Sequence, residues 1–186
     1  MKLVITGGAG FFGFHISRAF PNADLVLLDL EEIPDSELPS EARTVERVQA
    51  DVRNRTALRE AFANADAIIH AAAALPLWKA TEIRSVNLDG TRAVLEVAKE
   101  VGVPRVVHIS STAVYGIPDH HPLNEEDALH GVGPYGESKV SAESLCEKAR
   151  EAGLCVPVLR PKTFIGPERL GVFQILFEWI REGRRI

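Results

Sequence analysis

The chain has 186 residues, 46% of them apolar and 25% charged, enough for one well-buried core and ordinary for a globular protein. Its formal net charge of −5 gives no electrostatic reason for a nucleic-acid or anionic-membrane partner. The longest apolar-or-small run, 65–77, is broken by Asp66, His70 and Pro76 and is too short to span a bilayer.

The first element is a short buried strand, Leu3-Val4-Ile5-Thr6, that breaks at once on Gly7, Gly8, Gly10 and Gly13. A helix-like apolar run (Phe11, Phe12, Phe14, Ile16) begins inside the glycines. Such a turn aims backbone N–H groups and a positive helix end at one point, which suits a pyrophosphate. Two spacings fit, Gly8-x-Gly10-x-x-Gly13 and Gly7-x-x-Gly10-x-x-Gly13. Residues 24–30, DLVLLDL, read as a second buried strand ending in Asp29. An acidic group at this distance binds the adenosine ribose hydroxyls of a dinucleotide. A glycine-rich turn followed by a chance strand-end Asp is the plainer alternative.

Residues 31–43 are polar and proline-bearing and read as an irregular loop. A strand follows over 43–49, then Ala50-Asp51-Val52, and Asn54 caps a helix over 55–63. Residues 67–70 form a fourth strand, followed by alanines and Leu75-Pro76-Leu77-Trp78. A long helix is predicted over 81–101, a fifth strand over 104–110, a loop over 111–134 and a helix over 135–152. The sixth strand spans 154–160, and a last helical pattern runs from Gly171 to Arg181. The fold class is therefore α/β, a doubly wound parallel sheet (Rossmann) of six or more strands with helices on both faces. Cys146 and Cys155 fall on a helix and the next strand and read as buried thiols rather than a disulfide. With no signal-peptide layout at the N-terminus, cytoplasm is the expected location.

Tyr135 and Lys139 stand four apart at a helix start, on one face. An ammonium beside a phenol favours the phenolate and makes the pair a proton acceptor for an alcohol undergoing oxidation. Ser110, Ser111 and Thr112, where strand five ends, offer hydroxyls for the substrate oxygen. The six histidines show no metal-ligand spacing, so no metal is expected.

TGGAGFFG, Asp29, HAAA (70–73), SSTAVYG, PYGESK and LRPKTFIGP (159–167) together resemble the extended short-chain dehydrogenase/reductase superfamily, and within it the NAD-dependent epimerase/dehydratase family. The likeness runs over nearly the whole chain. It implies that Gly7, Gly10 and Gly13, with the backbone at Phe11 and Phe12, hold the pyrophosphate. By the same resemblance Asp29 binds the ribose diol, Asp51 and Val52 read the adenine, and Ala71, Ala72, Ala73 and Pro161 line the cofactor. Asn87 lies near the active centre, and Lys139 binds the nicotinamide ribose. Counting back four from Tyr115 gives Ser111 as the catalytic hydroxyl, with Tyr135 and Lys139 completing the set.

The cofactor implied is NAD rather than NADP, because Asp29, Glu31 and Glu32 repel a 2′-phosphate and no arginine sits nearby to receive one. Sugar dehydratases of the family carry an Asp-Glu pair where this chain has Thr112 and Ala113, which disfavours dehydration. UDP-galactose epimerases read LRYFN where this chain has Lys162 and Thr163. The resemblance thus implies an NAD-dependent epimerase or oxidoreductase acting on a sugar or nucleotide-sugar hydroxyl. A dehydrogenase or reductase of a non-sugar alcohol or ketone is the alternative, and a non-catalytic NAD-binding sensor the reading from another class. Residues 1–170 would form the NAD-binding domain and 171–186 the start of a C-terminal substrate region. The last helix is too apolar for one buried stripe, so either another chain or a further C-terminal half is expected to cover it. The resemblance separately implies a homodimer, paired through the helices holding Asn87 and Tyr135.

Overall fold

A computed structural model describes residues 1–166 and 173–184. Six strands form one parallel sheet: β1 (Lys2–Thr6), β2 (Asp24–Asp29), β3 (Thr44–Gln49), β4 (Ala67–His70), β5 (Val106–Ile109) and β6 (Val158–Leu159). Their order is β3-β2-β1-β4-β5-β6, the doubly wound order with its reversal between β1 and β4. The helices are α1 (Phe11–Arg18), α2 (Arg55–Phe62), α3 (Ala80–Arg84), α4 (Thr91–Glu100), α5 (Gly133–Glu151) and α6 (Phe173–Arg181).

Side chains alternate across the central strands, so each strand feeds two apolar layers. Val4, Val26, Leu28, Ile68 and Val106 face α2, α4 and α5, meeting Phe62, Val94 and Cys146. Leu3, Ile5, Leu25, Leu27 and Ile69 face the other way, against Phe12 and Ile16 of α1 with Ile33 and Phe164. Asn54 caps α2 as expected, its side chain accepting from the amides of Thr56 and Ala57 at 3.1 and 3.3 Å. Between β2 and β3 the crossover carries one short 3₁₀ turn, Asp35–Glu37, and is otherwise irregular.

Three elements depart from the sequence reading. The helix predicted over 81–101 is continuous but opens into a wide π turn, Ser85–Gly90, between α3 and α4. β6 is two residues long instead of seven, because Pro157 and Pro161 flank it and cannot donate to a ladder. Cys155 lies before β6, in an isolated bridge to Arg105, and is exposed, whereas Cys146 is buried; both are free. Gly171 and Val172, the predicted start of the last helix, lie outside the described residues, as does Pro167 of LRPKTFIGP.

Candidate active site

A cavity of about 1040 Å³ opens beyond the carboxyl ends of β1, β4 and β5, at the reversal of strand order. Its floor is the turn after β1. Gly7 has φ +78°, which side chains rarely adopt, and a Cβ there would lie 2.7 Å from the amide nitrogen of Ala72. A Cβ on Gly13 would lie 2.2 Å from the carbonyl oxygen of Gly7. Gly8 is also enclosed, a Cβ there meeting Leu27 Cβ at 3.0 Å, so close packing alone admits both spacings, and Gly7 differs from Gly8 in its positive φ. Gly7, Gly10, Phe11 and Phe12 line the cavity, while Gly13 lies behind them and lets α1 press against the turn. Gly10, the N-cap of α1, lines the cavity together with Phe11 and Phe12 of the first turn, so the positive helix end faces it. A close-approach turn, a positive helix end and a carboxylate at the next strand end fit a dinucleotide.

That carboxylate also fastens the turn. Asp29 Oδ2 accepts from the Ala9 amide at 2.9 Å, and Oδ1 accepts from the Glu31 amide at 3.1 Å. Asp51 and Val52 line the same end of the cavity, together with Glu31 and Glu32. One expectation is corrected here: an arginine does stand nearby, since Arg53 also lines the cavity. Its guanidinium is already engaged, donating through Nε and Nη2 to Asp51 at 2.8 and 2.5 Å and through Nη1 to Ser85 at 3.0 Å. Those bonds hold the Asp51 carboxyl below the usual carboxylate range.

At the other end α5 presents Tyr135 and Lys139 to the cavity, facing Ser110, Ser111, Pro161 and the alanines 71–73. Lys139 is 3% exposed, and its Nζ lies 5.8 Å from the Tyr135 ring centroid. Nζ donates one of its three N–H bonds to the Ile109 carbonyl at 3.0 Å. Burial depresses its pKa to about 8, against the raising effect of Cys146 and Glu143. Ser111 is the N-cap of a 3₁₀ turn, Thr112–Tyr115, and its Oγ accepts from the Ala113 amide at 3.1 Å. That bond leaves the hydroxyl proton for another oxygen. Ser110 instead donates its proton to Glu143 at 2.5 Å, and Thr112 is not in the cavity wall.

Asn87 is buried behind the wall rather than in it. The π turn aims its side chain at the end of β4, where Oδ1 accepts from the Ala74 amide at 2.8 Å. Its Nδ2 donates to Ser138 Oγ on α5 at 3.0 Å. Thr91 Oγ1 spends its proton on the Asn87 carbonyl at 2.6 Å, so it must accept from His70 Nε2, 3.0 Å away. His70 is then the Nε2–H tautomer, and its Nδ1 accepts from Thr6 Oγ1 at 2.8 Å. Burial, then the charge on Lys139, lowers the His70 pKa to about 3 and keeps the ring neutral. His108 lies 5.3 Å away, ring to ring, equally buried, with neither nitrogen hydrogen-bonded among the described residues.

The sequence reading passed over Glu143 and Arg160; for Leu75, Pro76, Leu77 and Trp78 it left an apolar wall near the nicotinamide end and a packed loop equally open. Glu143 continues the Tyr135–Lys139 spacing by four more residues, a signal available in the sequence. Leu75, Pro76 and Trp78 line the reactive end, and Leu77 beside them is 99% exposed, so this segment is an apolar lip rather than a packed loop. No group of three or more potential metal ligands converges among the described residues. No helix among them is long and apolar enough to cross a membrane.

The sequence pattern of the NAD-dependent epimerase/dehydratase family matches residues 3–184. The chain is 33% identical, over 97% of its length and 45% of the relative's, to the uncharacterized protein y4nG of Sinorhizobium fredii. Among solved structures, the dTDP-glucose 4,6-dehydratase DesIV of Streptomyces venezuelae, with NAD bound, superimposes at TM-score 0.85 and 27% identity. That match takes in 98% of this chain and 63% of DesIV. The UDP-glucose 4-epimerase of Bifidobacterium longum, in complex with NAD+ and UDP, gives 0.78 and 28% over 86% of this chain and 52% of the epimerase. The chain thus spans about half the length of the relatives it matches.

Proposed function

The chain belongs to the NAD-dependent epimerase/dehydratase family, and from that premise we propose that it oxidises or epimerises a secondary hydroxyl of a sugar or nucleotide sugar. Gly7, Gly10, Phe11 and Phe12 would hold the pyrophosphate of NAD, Asp29 the ribose diol, Asp51 and Val52 the adenine, and Lys139 the second ribose. When bound, NAD supplies the hydride acceptor. Tyr135 takes the hydroxyl proton, and the cationic form of Lys139 favours its phenolate. Ser111 donates a hydrogen bond from its hydroxyl to the substrate oxygen and holds it in place. Small side chains at Ala71, Ala72 and Ala73 leave room for the ring. The single observation that carries this reading is that Ser111, Tyr135 and Lys139, from two distant segments, line the same cavity as the glycine turn.

The test is turnover of UDP-hexoses by the chain. Tyr135→Phe should lower it roughly 10²- to 10⁴-fold, the range of a lost general base, while NAD titration stays unchanged. Equal turnover in the variant would sink the assignment. Interconversion without added cofactor identifies epimerisation; release of a ketone with NADH accumulation identifies a dehydrogenase. A second reading, a non-sugar alcohol or ketone, is favoured by the apolar lip of Leu75, Pro76, Leu77 and Trp78 at the reactive end. Turnover of cyclic apolar alcohols without any of UDP-hexoses selects it.

A further inference from the structure

We propose that the Glu143–Arg160 ion pair is the positioning element that sets the Ser111 turn against the helix bearing Tyr135; the inference rests on the functional reading above. Tyr135, Lys139 and Glu143 follow one another at intervals of four along α5, so all three face β5. Lys139 engages the Ile109 carbonyl, and one turn later Glu143 accepts from Ser110 Oγ at 2.5 Å. The carboxylate is gripped from the far side by Arg160, directly after β6. Its Nε donates to the two oxygens at 3.0 and 3.2 Å, and Nη2 donates to Oε2 at 2.7 Å.

Arg160 has a donor left over, and it is used on the same turn. Nη1 donates to Tyr115 Oη at 2.8 Å and to the Glu125 carbonyl at 2.8 Å. The segment around Ser111 is therefore held at both ends by one ion pair, at Ser110 through the carboxylate and at Tyr115 through the guanidinium. A planar guanidinium with donors in a fixed fork can serve these acceptors at once; an ammonium cannot. The residues between those ends include Ser111, whose hydroxyl must lie within hydrogen-bonding reach of an oxygen that Tyr135 also reaches.

Stability alone does not account for the pair. Glu143 is 7% exposed, and the desolvation of a buried ion pair offsets most of its attraction, so apolar side chains would hold the fold as well. What apolar residues cannot do is set a polar register between three segments. A slip of about 1 Å in such a register costs a reaction roughly 10²-fold.

Hydrogen exchange on the full chain, with no cofactor present, tests this in Glu143→Gln and Arg160→Lys. The reporters are the amides of Ser110, Thr112 and Gly116, bonded to the carbonyls of Leu159, Pro161 and Ala113. Both variants should raise exchange at these amides about tenfold, the equivalent of one lost charged hydrogen bond, with β1 and α4 unchanged. NAD affinity should hold, while kcat on a UDP-hexose falls roughly 10²-fold. Unchanged protection at the three amides in a folded variant overturns the proposal. A uniform rise across the sheet, the mark of a merely structural pair, also overturns it. Failure of the native chain to bind NAD would instead remove the functional reading and leave the exchange result standing.

Discussion

Lys139 illustrates how a single residue carries both the chemistry and a cost. It is an ammonium at 3% exposure that donates to the Ile109 carbonyl, and burial opposes its charge and lowers its pKa from 10.5 to about 8. Between those values the unfolded chain binds more protons than the folded one, so stability rises with pH. The contribution is complete above 10.5 and is lost as pH falls through about 8. In the NAD-free chain, thermal melts from pH 7 to 10.5 should show a gain on the order of 3 kcal/mol relative to Lys139→Met. Parallel curves for the two proteins would show that the ammonium is not desolvated. The Tyr135–Lys139 pair could be read from spacing because it repeats a local pattern, one turn of helix; the strand end offered three hydroxyls alike, and only the family resemblance pointed to Ser111 among them. Asp29 was legible as a strand-end carboxylate, but not its bond to the Ala9 amide, which depends on where the glycine turn folds back.

Among the elements, the π turn between α3 and α4 does what a regular helix could not. An extra residue in the turn brings Asn87 to the Ala74 amide and to Ser138, joining the end of β4 to α5 behind the cavity wall. Ala74 is fully buried, so its N–H has no access to water if that acceptor is removed. Asn87→Ala should therefore cost about 1–3 kcal/mol, read as a lower urea midpoint at unchanged m. A midpoint within error of the native one would place a water or another acceptor at Ala74. The helical stretch was visible from its apolar periodicity. The turn within it was not, because it arises from the demands of β4 and α5 and not from a local breaker. β6 is the reverse case: Pro157 and Pro161 stood in the sequence and state the shortening directly.

For the molecule as a whole, two layers of apolar side chains enclose the sheet, and the described end of α6 remains uncovered. Phe177 is 50% exposed, Trp179 40% and Ile180 59%. Large apolar side chains clustered in water favour association. Light scattering should show the chain's mass rising with concentration, and Phe177→Ser with Ile180→Ser should weaken that rise. A monodisperse monomer over the same range would refute it. Trp179 and Trp78 are the two tryptophans, so a Trp78→Phe background makes emission report on this helix alone.

By itself the sequence determined the order of strands and helices, the dinucleotide turn and the pairing of a phenol with an ammonium. Each is written within a few residues: alternation of apolar side chains, a glycine where φ is positive, an interval of four on a helix. Only the tertiary structure decided which of three adjacent hydroxyls is spent on Glu143 and that Arg53 reaches Ser85 across the cavity wall. It alone also tied Glu143 on α5 to Arg160 beyond β6. Those outcomes depend on which segments meet after folding, and a hydrogen bond between residues far apart in the chain leaves no mark on the residues beside either partner.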